Sequence, residues 1–410
     1  MSKPFGPLPP EFAAQSGDLM IAGRSASDWV REHGSPLFVY DPTIVATRVA
    51  AFRAAFPGVD LHYAIKANPH PAMIVAIGAM VDGLDVASAG ELAKATVVKP
   101  AASISFAGPG KRDSELAAAI SAGATLNVES EGEATRALAI GDRLGVAPRL
   151  AVRVNPDIEL KGSGMKMGGR PSPFGIDAER VAPLVQELVQ GGADWRGFHI
   201  FAGSQALDTQ ALIETQAATL ALAERLSEEA GHIPPLVNLG GGFGIPYFSG
   251  DTPVDVAAIG AALGVRLAGS PLTRVGTRYA IELGRWLVGE CGVYLTQVVD
   301  RKQSRGETFV IVDGGLHHQL AASGNFGTVV RRNYPVAVAH RIGEMPADEE
   351  VSVVGCLCTP LDRLADRVAL PPVQIGDVIA IFLAGAYGAT ASPSAFLGHP
   401  APIEVVATRA

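Results

Sequence analysis

From about Pro36 to Glu290, short apolar runs alternate with Ala-rich segments whose apolar residues recur at helical spacing. Leu37–Tyr40, Leu61–Ile65, Gly83–Val86, Ile104–Ala107, Thr125–Val128, Leu150–Val154, Gly197–Phe201, Leu236–Leu239 and Tyr279–Leu283 read as strands. They are short, often β-branched, and end in Gly, Asn, Pro or Ser. Ile44–Phe56, Glu115–Ala122 and Thr209–Ala230 suit helices. Buried-type strands separated by helices predict a parallel sheet. About eight such units predict a (β/α)8 barrel, here over 36–290, with a doubly wound open sheet as the runner-up. After about Cys291 the pattern changes. Val293–Asp300, Phe309–Val312, Val351–Val354 and Val378–Leu383 are strand-like with little helical pattern between them, which predicts a separate all-β domain over 291–410. Residues 1–35 are too short for a barrel unit and fit either domain.

Composition supports a large buried core, with 48% hydrophobic and 18% charged residues in a chain of 410. The net charge of −8 argues against a nucleic-acid partner, although an acidic whole can hold a basic pocket. The opening MSKPFGPLPPEF has no charged segment followed by an apolar run, so no signal peptide is expected, and no apolar stretch is long enough to predict a membrane span. Three cysteines, Cys291, Cys356 and Cys358, make no disulfide framework and fit a reducing cytoplasm. Cys356-x-Cys358 lacks a second Cys/His pair at zinc-finger spacing, so no metal is expected.

In a β/α barrel, chemistry sits where strands end. Lys66 follows a strand in HYAIKANPH, where desolvation can tune a lysine for Schiff-base chemistry; a solvated loop lysine is the plainer reading. Asn238–Gly244 (NLGGGFG) also follows a strand. Its glycines suit a phosphate cradle or simply a tight turn, and it is not a dinucleotide fingerprint. Glu282 and Arg285 (ELGR) can pair with a protonated pyridine nitrogen and an anion respectively, or close the barrel as a salt bridge. Cys358 and Asp362 lie in GCLCTPLD; a cysteine there can protonate a carbanion, or be a small buried residue. Tyr387 in GAYGA can donate to a phosphate or fill a turn.

Taken in order, YAIKANP, GLDVASAGEL, AGPGK, RVNP, GGGFG, ELGR, the Cys–Asp segment and GAYG resemble the fold-type III pyridoxal-phosphate (PLP) decarboxylases, the diaminopimelate and ornithine decarboxylase group, from about Leu37 to Val406. HIFAGSQ, GGGFGIPY, DGGLHHQLAASGNFG and LCTPLDRLAD resemble in particular the subgroup associated with exosortase A systems. The resemblance implies PLP as cofactor, with Lys66 as its covalent anchor. Asp85 and Glu91 would lie near its reacting edge, Arg153 on its phenolic side, and Glu282 at its ring nitrogen. Ser204, Gly240, Gly241, Gly242, Phe243, Gly244, Arg285 and Tyr387 would hold the phosphate. It also implies a homodimer in which Cys358, Thr359 and Asp362 reach the partner's site, with Arg285 and Tyr387 also meeting substrate, and a β-domain that includes residues 1–35. Two positions depart from the family. Phe201 stands where a cofactor-stacking histidine is usual, and can stack but not share a proton. Thr359 stands where diaminopimelate decarboxylases carry glutamate and ornithine decarboxylases aspartate, to meet a distal ammonium group. The expected activity is therefore decarboxylation of an amino acid or amino-acid conjugate, free or carrier-linked, other than diaminopimelate or ornithine. The alternatives are diaminopimelate decarboxylase itself, a PLP racemase, which would pair the ring nitrogen with a cation, and a non-catalytic regulatory homologue, which would be expected to lose Lys66 or Cys358.

Overall fold

Eight strands, each rich in apolar residues and buried along most of its length, close into a barrel: β1 (Asp60–Ala64), β2 (Gly83–Val86), β3 (Ile104–Phe106), β4 (Thr125–Val128), β5 (Arg149–Asn155), β6 (Asp194–Ile200), β7 (Leu236–Gly241) and β8 (Arg278–Leu283). Every neighbouring pair is parallel, and β8 returns to β1 with Glu282 opposite His62. This computed structural model describes residues 2–157, 163–166 (backbone only), 171–324, 332–344 and 350–408; Asn325–Gly327, at the end of one motif quoted above, lie outside them. Helices fill the crossovers because the sequence starts and stops them locally. Before the helix Glu131–Leu144, the Ser130 side chain accepts the Glu133 N–H; after it, Gly145 takes the left-handed conformation.

The barrel belongs to a compact unit of residues 47–244 and 253–284. The other unit comprises residues 1–46, 245–252 and 285–410. Its long strand Gly292–Ser304 pairs antiparallel with Glu307–Val312, Val378–Ile381 and Leu37–Tyr40. The last of these corrects the sequence reading. Leu37–Tyr40 is not a barrel strand; it lies between Gly292–Leu295 and the parallel strand Ile403–Val406. All four of its residues are buried and apolar, so its periodicity could not say which sheet would bury them. Residues 245–252, also read as barrel, lie in this unit too.

Candidate active site

His199, Lys66 and Arg153 all act on one buried carboxylate. Glu282, near the end of β8, accepts a hydrogen bond from His199 Nε2 on β6 at 3.1 Å. Burial alone would raise the Glu282 carboxyl, but the His199 bond and charge, with the cations Lys66 and Arg153, hold it down to about 2. On the neighbouring strands, His62 Nδ1 lies 3.2 Å from Asp85 Oδ2. The two are close enough to attract but are not aligned to bond, so the Asp85 oxygens and His62 Nδ1 have no hydrogen-bond partner among the described residues. Burial, then the charge of Glu282, pushes the Asp85 carboxyl up. His62 is raised against its own burial by Asp85.

Lys66 follows β1 in the single turn Ile65–Ala67, with its side chain exposed. Its charge reaches both Glu282 and Glu91. Glu91 sits in the first turn of the helix Ala89–Thr96, where the Ser88 side chain accepts its N–H. Its carboxylate accepts the Ala87 N–H at 2.7 Å, which fixes its direction. Arg153 on β5 donates to Glu129 at 2.9 Å and lies 5.1 Å from the Phe174 ring centre. Glu129 also accepts the Gly108 and Gly175 N–H groups, joining three loops at one buried carboxylate.

Two close approaches set the glycine loop. Gly240 has φ +71°, and the Asn238 side chain accepts its N–H at 2.9 Å. A Cβ at Gly241 would stand 2.0 Å from the Glu282 carbonyl oxygen. The loop is pinned farther on by Ala206 N–H to Gly242 O at 3.0 Å and Gly244 N–H to Ala206 O at 2.9 Å. Ser204 lies in the strand Gly203–Ala206, paired antiparallel with Ser163–Lys166. Phe201 is half-buried, and its Cα and ring edge would each lie 3.2 Å from a Cβ at Gly240.

The remaining candidates fall in the other unit. The Arg285 guanidinium lies 5.5 Å from the Tyr247 ring centre and 5.1 Å from that of Tyr387. Tyr387 holds φ +54°, a strained value for a bulky residue and one that often marks a functional position. Cys358 is exposed. Thr359 is half-buried in a tight turn, its N–H bonded to Leu357 O at 2.8 Å and its hydroxyl accepting the Leu361 N–H at 3.4 Å. Asp362 lies three residues farther along the same segment. Only 3% exposed, it accepts the N–H groups of Leu316 (2.6 Å) and Leu357 (2.9 Å). A Cβ at Gly315 or Gly355 would come within 2.5 or 2.2 Å of its oxygens. Within the chain Asp362 thus ties the loop that carries Cys358 to the backbone at Leu316.

Residues 43–289 match the profile of the family "pyridoxal-dependent decarboxylase, pyridoxal binding domain". The chain is 36% identical over 381 residues to an L-glutamyl-[BtrI acyl-carrier protein] decarboxylase of Niallia circulans, covering 91% of this chain and 88% of that one. It is 32% identical to a diaminopimelate decarboxylase of Aquifex aeolicus, covering 92% and 88% of the two chains. It is 31% identical to a 2-[(L-alanin-3-ylcarbamoyl)methyl]-2-hydroxybutanedioate decarboxylase of Staphylococcus aureus, covering 89% and 92%. The crystal structure of diaminopimelate decarboxylase from M. jannaschii with L-lysine superposes with a TM-score of 0.86 at 25% identity, covering 97% of this chain and 92% of that one.

The barrel's own residues fit PLP. A buried carboxylate kept ionised suits a protonated pyridine nitrogen, an exposed lysine stands at a strand end, and glycines with close backbone approaches follow β7. The unmet polar atoms of Asp85 and His62, joined by His199 Nδ1, are those of a site that expects a polar occupant. On this geometry and these matches, the chain belongs to the pyridoxal-dependent decarboxylases and is a PLP-dependent carboxy-lyase.

Proposed function

We propose that this enzyme decarboxylates an amino acid or amino-acid conjugate whose side chain carries no distal ammonium group, a glutamyl group tethered to a carrier protein being the leading case. It would act as a cytoplasmic homodimer with shared sites, and the resemblance to the exosortase A-associated subgroup suggests a role near polysaccharide or specialised metabolism. Thr359 carries the substrate reading. A threonine hydroxyl cannot neutralise a cation in a desolvated pocket, and this one already accepts the Leu361 N–H. Two relatives named for conjugate substrates support the reading. Losing one hydrogen bond to a charged group costs ~1.5–3 kcal/mol, roughly ten- to hundredfold in discrimination. meso-Diaminopimelate, lysine and ornithine should therefore be poor substrates, and Thr359→Glu should raise activity toward diaminopimelate. The test compares kcat/KM for glutamyl-loaded carrier protein and for meso-diaminopimelate. A wild-type value for diaminopimelate around ~10⁴ M⁻¹s⁻¹ or more would make the enzyme a diaminopimelate decarboxylase instead.

The bound cofactor supplies an electron sink for the pair left behind as CO2 departs. Lys66 would hold the cofactor and exchange it for the substrate amine. Glu282 would keep the ring nitrogen protonated, and Phe201 would lie against the ring. Ser204 and Gly240–Gly244, with Arg285 and Tyr387, would fix the phosphate, while Arg153, Asp85 and Glu91 would line the reacting side. Cys358 of the partner subunit would return the proton to Cα. A pH prediction follows from the His199–Glu282 bond. With its carboxyl held at about 2, Glu282 stays ionised at any ordinary assay pH, so it adds no acid limb to kcat/KM. His199→Asn leaves burial less opposed, and the carboxyl then titrates higher. The variant's kcat/KM should fall as pH drops through a range where wild type is flat. Superimposable acid limbs would show that His199 does not set the charge of Glu282.

A further inference from the structure

We propose that His317, Cys356 and His399 bind a divalent transition-metal ion of the zinc class. One ligand atom from each lies within 4.8 Å of the other two. Cys356 Sγ is 3.8 Å from His399 Nδ1 and 4.0 Å from its Nε2. Tetrahedral zinc places sulfur and nitrogen ligands roughly 3.5 Å apart, so closing on an ion needs shifts of only a few tenths of an ångström to about 1 Å. The donor set, one thiol and two imidazoles, selects zinc-like ions over magnesium or calcium, which take oxygen ligands.

An independent observation points the same way. His317 is 0% exposed, and neither of its ring nitrogens has a hydrogen-bond partner among the described residues. Buried polar groups are almost always paired, so an imidazole with both nitrogens unmet beside a thiol and a second imidazole calls for a ligand. The adjacent His318 shows the contrast: its Nδ1 meets the Tyr294 hydroxyl at 3.0 Å and its Nε2 meets Pro400 O at 2.9 Å, so it is fully used. The Cys356 thiol now lies 3.4 Å from Asp313 O, to which it donates. On binding it would lose that proton to solvent and ligate as thiolate.

The three ligands come from separate loops, and Cys356 is two residues before Cys358. An ion there would tie the C-terminal loop of His399 to the loop that carries Cys358. The set uses Cys356 without Cys358, so the Cys-x-Cys spacing was no guide to it. Three protein ligands leave a fourth position for water or another ligand.

The test uses the full-length holoenzyme, treated with chelator and titrated with Co2+ alone, and reads the thiolate-to-cobalt absorption by difference spectroscopy. About one equivalent should develop the band. Cys356→Ser and His399→Ala should lose it, and Cys358→Ser should keep it. No band in wild type, or a band that survives in Cys356→Ser, overturns the proposal. If Cys356→Ser fails to fold, His399→Ala decides by competition with Zn2+. Affinity should weaken at least ~100-fold, more than for loss of a group that merely orients a ligand, and an unchanged affinity overturns the site.

Discussion

Lys66→Ala is expected to lower kcat/KM by at least ~10³-fold, within the range for removing a group that moves protons in the reaction. The wild-type absorbance near ~420 nm, a property of the lysine-linked cofactor, should disappear. Borohydride should no longer fix PLP to the chain. The expectation rests on geometry as well as on the YAIKANP motif. Lys66 is exposed at the end of β1, and its charge reaches Glu282. Lys111, in AGPGK, is buried and donates to Gly108 O (2.7 Å), Asn127 O (2.9 Å) and Glu133 (2.6 Å), which uses all three of its N–H groups. Lys94 donates to Pro69 O at 3.2 Å. Covalent trapping that survives in Lys66→Ala would mean that another lysine is the anchor.

The strand ends were legible because barrel chemistry concentrates there and their residues stand out against apolar runs. Lys66 after LHYA, the glycines after LVNL and Glu282 in YAIEL are polar or special residues where an apolar run stops. Groups within or just past the strands were harder to see. His62 and His199 look like interruptions of buried strands, and only the closed sheet puts Glu282 beside His62 in register and within reach of His199. Glu129 follows TLNV at a strand end and had the same signal as Lys66, but its role depends on Arg153 and on two backbone N–H groups from other loops. Leu37–Tyr40 was misplaced because a wholly apolar strand carries no mark of its sheet. The bonds of Asp362 to the Leu316 and Leu357 N–H groups are not legible in the sequence, since they depend on the space left by Gly315 and Gly355. His317 and His399 carried no local spacing signal at all.

Cys358→Ala is expected to lower kcat by about 10² to 10⁴-fold, the ordinary contribution of a positioned proton donor. In the isolated chain the Cys358 thiol is exposed, while Asp362 holds the backbone beneath it through Leu357. A rigidly backed side chain offered to solvent suits a group that completes the site of a second copy. Subunit mixing tests this. Lys66→Ala and Cys358→Ala are each inactive alone under the shared-site arrangement. A heterodimer then has one site with both lesions and one with neither. Random pairing at equal amounts makes about half the dimers heterodimers, so about a quarter of all sites, and a quarter of wild-type activity, should return. Exchange itself must be shown independently, for example by mass-tagged subunits. Proven exchange without recovered activity would mean that Lys66 and Cys358 serve the same site from one chain, and the shared-site arrangement would be wrong.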